Sequence, residues 1–162
     1  MSDRFPSIDI DIRRQRLRLI GPEMTEEFII STAANGAGEQ FGSECTPRGK
    51  HIVRAKIGAG QVENTVFIGR RPTGEIYSAE LARQFPQRDW ILTRILWLSG
   101  LEPGKNRLGS VDTMRRYIYI HGCPDDDRLG EPGSHGCIKM RNQDIIYLYD
   151  RTPCGTRVTI HE

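Results

Sequence analysis

A mainly β domain, built as a β-sandwich or a curled mixed sheet with one or two short helices, is the fold class this 162-residue chain predicts. Three observations carry it. Short runs rich in Ile, Val, Thr and aromatics recur along the chain at the length of single strands. Clusters of Gly, Pro and Asn stand between them and mark tight connections. Only two stretches have the features of a helix. No repeat, low-complexity segment or Pro/Ser-rich linker divides the sequence, so residues 1–162 are expected to form one domain with its own core.

The first strand is expected at 16–20, where Arg alternates with Leu from Arg16 onward. The cluster Arg13-Arg14-Gln15-Arg16 then reads as the solvated face of a strand rather than a patch for an anionic partner. Strands follow at 27–32 and 51–57, separated by a turn at Gly36-Ala37-Gly38, and another turn at Gly58-Ala59-Gly60 leads to a strand at 66–69. A short helix over 78–85 is stopped by Pro86. A strand at 91–98, a turn over 102–106 and a strand at 117–121 come next. In that last strand, period-2 geometry puts Tyr117, Tyr119 and His121 on one face and Ile118 and Ile120 on the other. The isoleucines are expected to face the core, and the tyrosines to flank the histidine and wall a groove. The second helix spans 142–150, with Asn142 as N-cap, Asp144 in the first turn, and Ile145, Ile146, Leu148 and Tyr149 for burial. A strand at 157–160 closes the chain.

Composition narrows the partners. A net charge of +2 and the lack of any long Lys/Arg tract argue against a nucleic-acid surface, and no apolar run is long enough to span a membrane as a helix. The first twenty residues carry Asp3, Arg4, Asp9, Asp11 and four further arginines, with no apolar stretch of the kind found in secretory signals. Cys45, Cys123, Cys137 and Cys154 lack the short paired spacing of a disulfide framework, so reduced thiols are expected. Both features lead to an expected cytoplasmic location, with the periplasm as the alternative.

The chemistry concentrates at Ser134-His135-Gly136-Cys137, with His121 sixteen residues before the cysteine. Cysteine attacks as its thiolate, of which a free thiol of pKa ~8.5 supplies only a few per cent at neutral pH. A histidine within reach corrects this by taking the proton. Gly136 lets a substrate carbonyl approach the backbone, where the amides of His135, Gly136 and Cys137 can hold an oxyanion. This is a cysteine acyl-transfer site in outline, with Cys137 as nucleophile and His121 as base; His135 is the alternative base. Ser134 either holds the turn or touches the substrate. Lys139 and Arg141 either bind a substrate carboxylate or form a solvated face. Asp125-Asp126-Asp127 is either a solvated loop tip or a site for an ammonium group. A rival reading makes His121, Cys123, His135 and Cys137 the ligands of a zinc-binding module, although H-x-C…H-x-C lacks the usual C-x₂₋₄-C knuckle.

Tyr119-Ile120-His121-Gly122, eleven intervening residues and Ser134-His135-Gly136-Cys137-Ile138-Lys139-Met140 resemble the signature of the L,D-transpeptidase catalytic-domain family (YkuD-like), a His-Gly pair followed by S-H-G-C-[IV]-R-[ML]. Residues 45–52, C-T-P-R-G-K-H-I, are similar to that family's T-P-x-G-x-[FHY]-x-[IV] segment, and residues 153–160 to its closing P-x-G-T-x-V-x-I strand. The likeness runs from about residue 17 to residue 160. One departure is Lys139, where the family usually has Arg; Lys keeps the charge but lacks the planar fork.

The resemblance implies that family's fold, mostly β with a helix after the nucleophile, and a site in which the Gly122 carbonyl orients the His121 ring. Its implied reaction is acyl transfer at the L,D bond of peptidoglycan stem tetrapeptides or muropeptides. Cys137 attacks the carbonyl of the third residue and expels terminal D-alanine, and no cofactor or metal is expected. Water as acceptor makes an L,D-carboxypeptidase, the outcome expected for a cytoplasmic protein of cell-wall recycling. An amine of a second stem makes an exported transpeptidase forming 3-3 cross-links, and a binding module without turnover is a remote third. Tyr119, Ser134, Lys139 and Arg141 are the candidate substrate contacts. The strained amide of a carbapenem-type β-lactam is expected to acylate Cys137.

Overall fold

Alternation of apolar and polar residues makes the strands at the two ends of the chain two-faced, with the apolar face of each turned inward. The computed structural model describes residues 5–162; the charged start of the chain, Asp3 and Arg4 included, lies outside the described residues. The strands in order are β1 (Ser7–Asp11), β2 (Arg16–Ile20), β3 (Thr25–Ser31), β4 (Gly49–Ile57), β5 (Thr65–Ile68), β6 (Arg71–Ile76), β7 (Ile91–Gly100), β8 (Tyr119–Cys123), β9 (Ile138–Arg141) and β10 (Arg157–His161), with α1 (Ala79–Gln84) and α2 (Asn142–Arg151).

These strands form a single mixed sheet in the order β4-β10-β1-β2-β3-β9-β8-β7-β5-β6, and β4 also pairs with β7. Eight strands therefore close on themselves, and the β5–β6 hairpin hangs from β7. Of the two expected architectures, the curled mixed sheet is the one that forms. Most neighbours are antiparallel, whereas β1–β10 and β8–β9 run parallel. Closure leaves the eight ring strands without free edges, which is how a sheet avoids unpaired backbone.

The core fills the inside of the ring. Ile8, Ile10, Leu17, Leu19, Leu96, Leu98, Ile118, Ile120, Ile138, Val158 and Ile160 point into it, joined by Ile145 and Leu148 of α2. Arg18 stays exposed beside Leu17 and Leu19, the solvated face expected of that strand. A second, smaller apolar cluster lies on the other side of β7 and β8, where Phe67, Ile95 and Tyr119 meet Trp97 and Cys137.

Three strands escape a reading of the sequence. In β1 the isoleucines are buried but alternate with Asp, and their partner β10 lies about 150 residues away. In β6 no residue is buried, as befits the outer strand of a hairpin. β9 is only four residues long. The strand expected from Tyr117 begins instead at Tyr119, because Tyr117 sits at φ 58 and cannot be extended. In α1, Ser78 caps the helix, accepting the Leu81 N–H at 3.1 Å. In α2 the cap position falls to Arg141, and Asn142 turns its amide inward instead.

Candidate active site

The nucleophile turn sits between Ala33↔Ser134, an isolated bridge, and the start of β9. Gly136 has φ +130, a conformation that L side chains rarely adopt. A Cβ there would also press on Ile118 Cδ1 at 3.2 Å and Cys45 O at 3.3 Å. Ser134 Oγ donates to Cys137 O at 2.5 Å and accepts from Gly136 N–H at 3.1 Å, which cinches the turn. Thr46 Oγ1 donates to Gly136 O at 2.9 Å and accepts from Ala33 N–H at 3.0 Å, tying the 45–52 segment beneath the nucleophile.

Cys137 Sγ accepts the Tyr119 N–H at 3.3 Å and donates to Tyr117 O at 3.4 Å. Burial pushes its thiol up to about 12; the Tyr119 N–H and Arg116 work against that, and Asp89 adds to it. The resting group is thus the neutral thiol, and attack requires a base.

His121 is the candidate. It is buried at 1% exposure on the face of β8 opposite Ile120. The parallel register pairs Ile120 with Ile138 and His121 with Lys139, which brings the turn that ends at Cys137 alongside the strand that carries His121. Its Nδ1 lies 2.6 Å from Gly122 O. A carbonyl only accepts, so Nδ1 carries the proton and Nε2 presents a lone pair. Burial lowers the His121 pKa below its usual value, with the Gly122 carbonyl and Asp89 opposing, so the ring is neutral and ready to accept a proton.

The other expected contacts separate. The His135 side chain is 66% exposed and lies 3.8 Å from Asp89, so its ring is largely open to solvent. The Gly136 N–H is occupied by Ser134; among the described residues, those of His135 and Cys137 have no internal partner and remain for an oxyanion. The Ser134 hydroxyl is likewise fully engaged inside the turn, a holder rather than a substrate contact. Lys139 binds Asp127 at 2.8 Å, which ties down the loop between β8 and β9 and takes that cation away from a substrate carboxylate. Arg141 is exposed at the start of α2. Tyr119 is buried; its ring meets Trp97 edge-on and its hydroxyl accepts from Arg70 at 3.0 Å, so it does not line an open groove. Cys123 is fully buried, its thiol on Met140 O at 3.2 Å and pushed up to about 12 by burial. Among the described residues no three or more His, Cys, Asp or Glu side chains stand close enough together to hold a metal ion, so the four residues of the zinc alternative do not converge.

Three charged residues at the site carried no signal in the sequence. Arg70, on the turn joining β5 to β6, stacks on Trp97 at 4.4 Å and on the exposed Tyr117 at 4.9 Å, and has no carboxylate partner among the described residues. Arg116 donates to Gly38 O, Ser43 Oγ and Cys45 O, pinning the 36–46 loop beside the nucleophile turn. Asp89 precedes β7 and lies within electrostatic reach of both Cys137 and His121. Each arrives from a distant loop with no local motif.

A family model for the L,D-transpeptidase catalytic domain, YkuD, matches residues 6–160. A stretch of 45 residues is 49% identical to the probable L,D-transpeptidase ErfK/SrfK of Escherichia coli K12; it covers 28% of this chain and 14% of that protein. An L,D-transpeptidase from Mycobacterium smegmatis shares the fold with TM-score 0.61 and 16% identity, over 97% of this chain and 58% of that one. L,D-transpeptidase 3 from Mycobacterium tuberculosis, solved in complex with a faropenem-derived adduct, gives 0.60 and 15% over 97% and 61%. At these identities the structural likeness shows the fold, and the chain spans only part of the length of each of these relatives.

Proposed function

The chain belongs to the L,D-transpeptidase catalytic-domain family, and on that premise we propose that it is a cysteine L,D-carboxypeptidase trimming peptidoglycan stem tetrapeptides in cell-wall recycling. The observation that carries the chemistry is the His121 ring, held neutral by burial and aligned by the Gly122 carbonyl, on the strand that runs beside the Cys137 turn and its two amides without a partner among the described residues. His121 Nε2 takes the proton of Cys137, and the sulfur attacks the carbonyl of the third stem residue. The amides of His135 and Cys137 hold the resulting oxyanion. The imidazolium then gives its proton to the departing amine of D-alanine, leaving a thioester on Cys137. Water, deprotonated by His121, attacks the thioester, releasing the tripeptide carboxylate and restoring the thiol. Arg70, aromatic-stacked and without a carboxylate of its own, takes over from Lys139 as the residue that receives a stem carboxylate.

Hydrolysis needs only an open approach to the thioester, and the exposed His135 and Tyr117 beside the half-buried sulfur supply one. A cross-linking reaction must also orient an amine. Asp89, an acid within reach of the site, favours that second reading. The cytoplasmic setting is part of the proposal, and fractionation of native cells tests it. The faropenem adduct of the mycobacterial relative supports expecting a β-lactam carbonyl to acylate Cys137.

The test is incubation with a disaccharide tetrapeptide and mass spectrometry of the products. Tripeptide and free D-alanine should dominate with wild type, and Cys137→Ala should leave the substrate intact. A product mixture dominated by 3-3 linked dimers would replace the carboxypeptidase with a transpeptidase.

A further inference from the structure

Directly behind the general base, β7 breaks its register. Leu98 N–H donates to Ile118 O at 3.0 Å, and Leu96 pairs with Ile120. In an antiparallel ladder alternate residues turn their backbone groups toward the same neighbour, so Ile118, Ile120 and Gly122 face β7. In unbroken register Gly122 would meet Arg94. Instead the pairing jumps from Ile95↔His121 to Leu92↔Gly122, and Thr93 and Arg94 bulge out opposite the His121–Gly122 peptide. Gly122 thereby pairs with Leu92 rather than Arg94, and its carbonyl also accepts the His121 Nδ1–H at 2.6 Å.

The bulge is fixed by buried side chains. Thr93 is fully buried at φ 75, a left-handed conformation that a β-branched residue rarely holds. Its Oγ1 accepts from Asn64 N–H at 3.0 Å and donates to Asn142 Oδ1 at 2.6 Å. Asn142, also fully buried, donates to Asn64 Oδ1 at 2.9 Å and to Asp125 Oδ1 at 3.3 Å. The start of α2, the loop before β5 and the loop after β8 thus converge on the bulge. Gly122 completes the fit, since a Cβ there would collide with Asn142 Oδ1 and the Leu92 carbonyl.

We propose that Thr93 and Asn142 are positioning residues that set the tautomer of His121. They hold a β-bulge that shifts the partner of Gly122 from Arg94 to Leu92 and so sets the direction in which the Gly122 carbonyl meets the ring. The inference rests on the reading of His121 as the base of Cys137. It goes beyond that reading by assigning the control of the ring to a network on three other chain segments.

The test uses Thr93→Gly, which suits the positive φ but lacks the hydroxyl, Thr93→Val, which keeps the shape, and Thr93→Ser, which keeps the hydroxyl. Nitrogen-15 NMR of the free protein reads the His121 ring tautomer, and iodoacetamide reads the reactivity of Cys137. Thr93→Ser should retain the Nδ1–H form. Thr93→Gly and Thr93→Val should lose the single tautomer and alkylate about tenfold more slowly, the scale of losing an orienting partner. An unchanged ring signal and rate in folded Thr93→Gly would overturn the proposal, whatever happens to its melting temperature. Both readouts need no peptide, so a wild type inert toward tetrapeptide would sink the carboxypeptidase reading while leaving this one standing.

Discussion

Ser134 uses its hydroxyl twice within four residues, and that makes a side chain next to the chemistry a structural one. Replacing it by alanine leaves the Gly136 N–H and the Cys137 carbonyl without partners in a buried turn. An unsatisfied buried group costs about 1–3 kcal/mol. Ser134→Ala is therefore expected to lower the melting temperature and kcat together while leaving KM for the tetrapeptide nearly unchanged. A rise in KM alone, with kcat and stability intact, would return Ser134 to the list of substrate contacts. The choice of Cys137 and His121 as the candidate pair could be made from the chain alone, because nucleophile and base chemistry restrict the residue types. The destination of the Ser134 hydroxyl was not, because it depends on the left-handed backbone at Gly136.

The β5–β6 hairpin is the element that overlooks the site without belonging to the closed ring. Its turn carries Arg70, whose guanidinium lies against two aromatic faces and a tyrosine hydroxyl. Such stacking orients a cation while leaving its in-plane N–H groups available to a carboxylate. Arg70→Met is expected to raise KM for the tetrapeptide about tenfold or more, the scale of one charge-assisted hydrogen bond, with a smaller change in kcat. Equal KM values for the two proteins would make the residue a packing element of the aromatic cluster. The sequence directed attention to Lys139 instead, since it adjoins the nucleophile. Lys139 turned out to serve the loop between β8 and β9, through an ion pair with Asp127 that no local pattern announces.

At the scale of the whole molecule, closing the sheet buries polar residues as well as apolar ones. His51 on β4 is fully buried, with Nδ1 on Gly49 O at 3.0 Å and Nε2 on Thr113 Oγ1 at 2.9 Å. Burial pulls its pKa from 6.5 down to about 4. The unfolded chain binds this proton at higher pH than the folded one, so stability is complete above pH 6.5 and falls as the pH drops toward 4. A depression of that size corresponds to roughly 3 kcal/mol, lost across that window. Denaturant midpoints measured at pH 7 and pH 4.5 should differ strongly in wild type and clearly less in His51→Phe. An identical difference in the variant would assign the acid sensitivity to other groups, His121 first, because burial depresses its pKa in the same direction.

What the sequence determined by itself was the local inventory: alternating strands, the short α1 stopped before Pro86, the β class and the S-H-G-C turn with its upstream histidine. Each follows from period, turn chemistry or residue type within a short window. What only the tertiary structure decided was every relation between distant segments. The parallel pairing of β8 with β9 brings the turn carrying Cys137 alongside the strand carrying His121. The β4–β7 pairing closes the ring, and β1 finds β10 from the other end of the chain. The bulge at Thr93 opposes Gly122, and Arg70, Asp89 and Arg116 approach the nucleophile from separate loops. Hydrophobic period specifies which face of a strand is buried but not which strand lies beside it. That choice belongs to the closure of the whole sheet, where non-local backbone pairing and core packing are satisfied together.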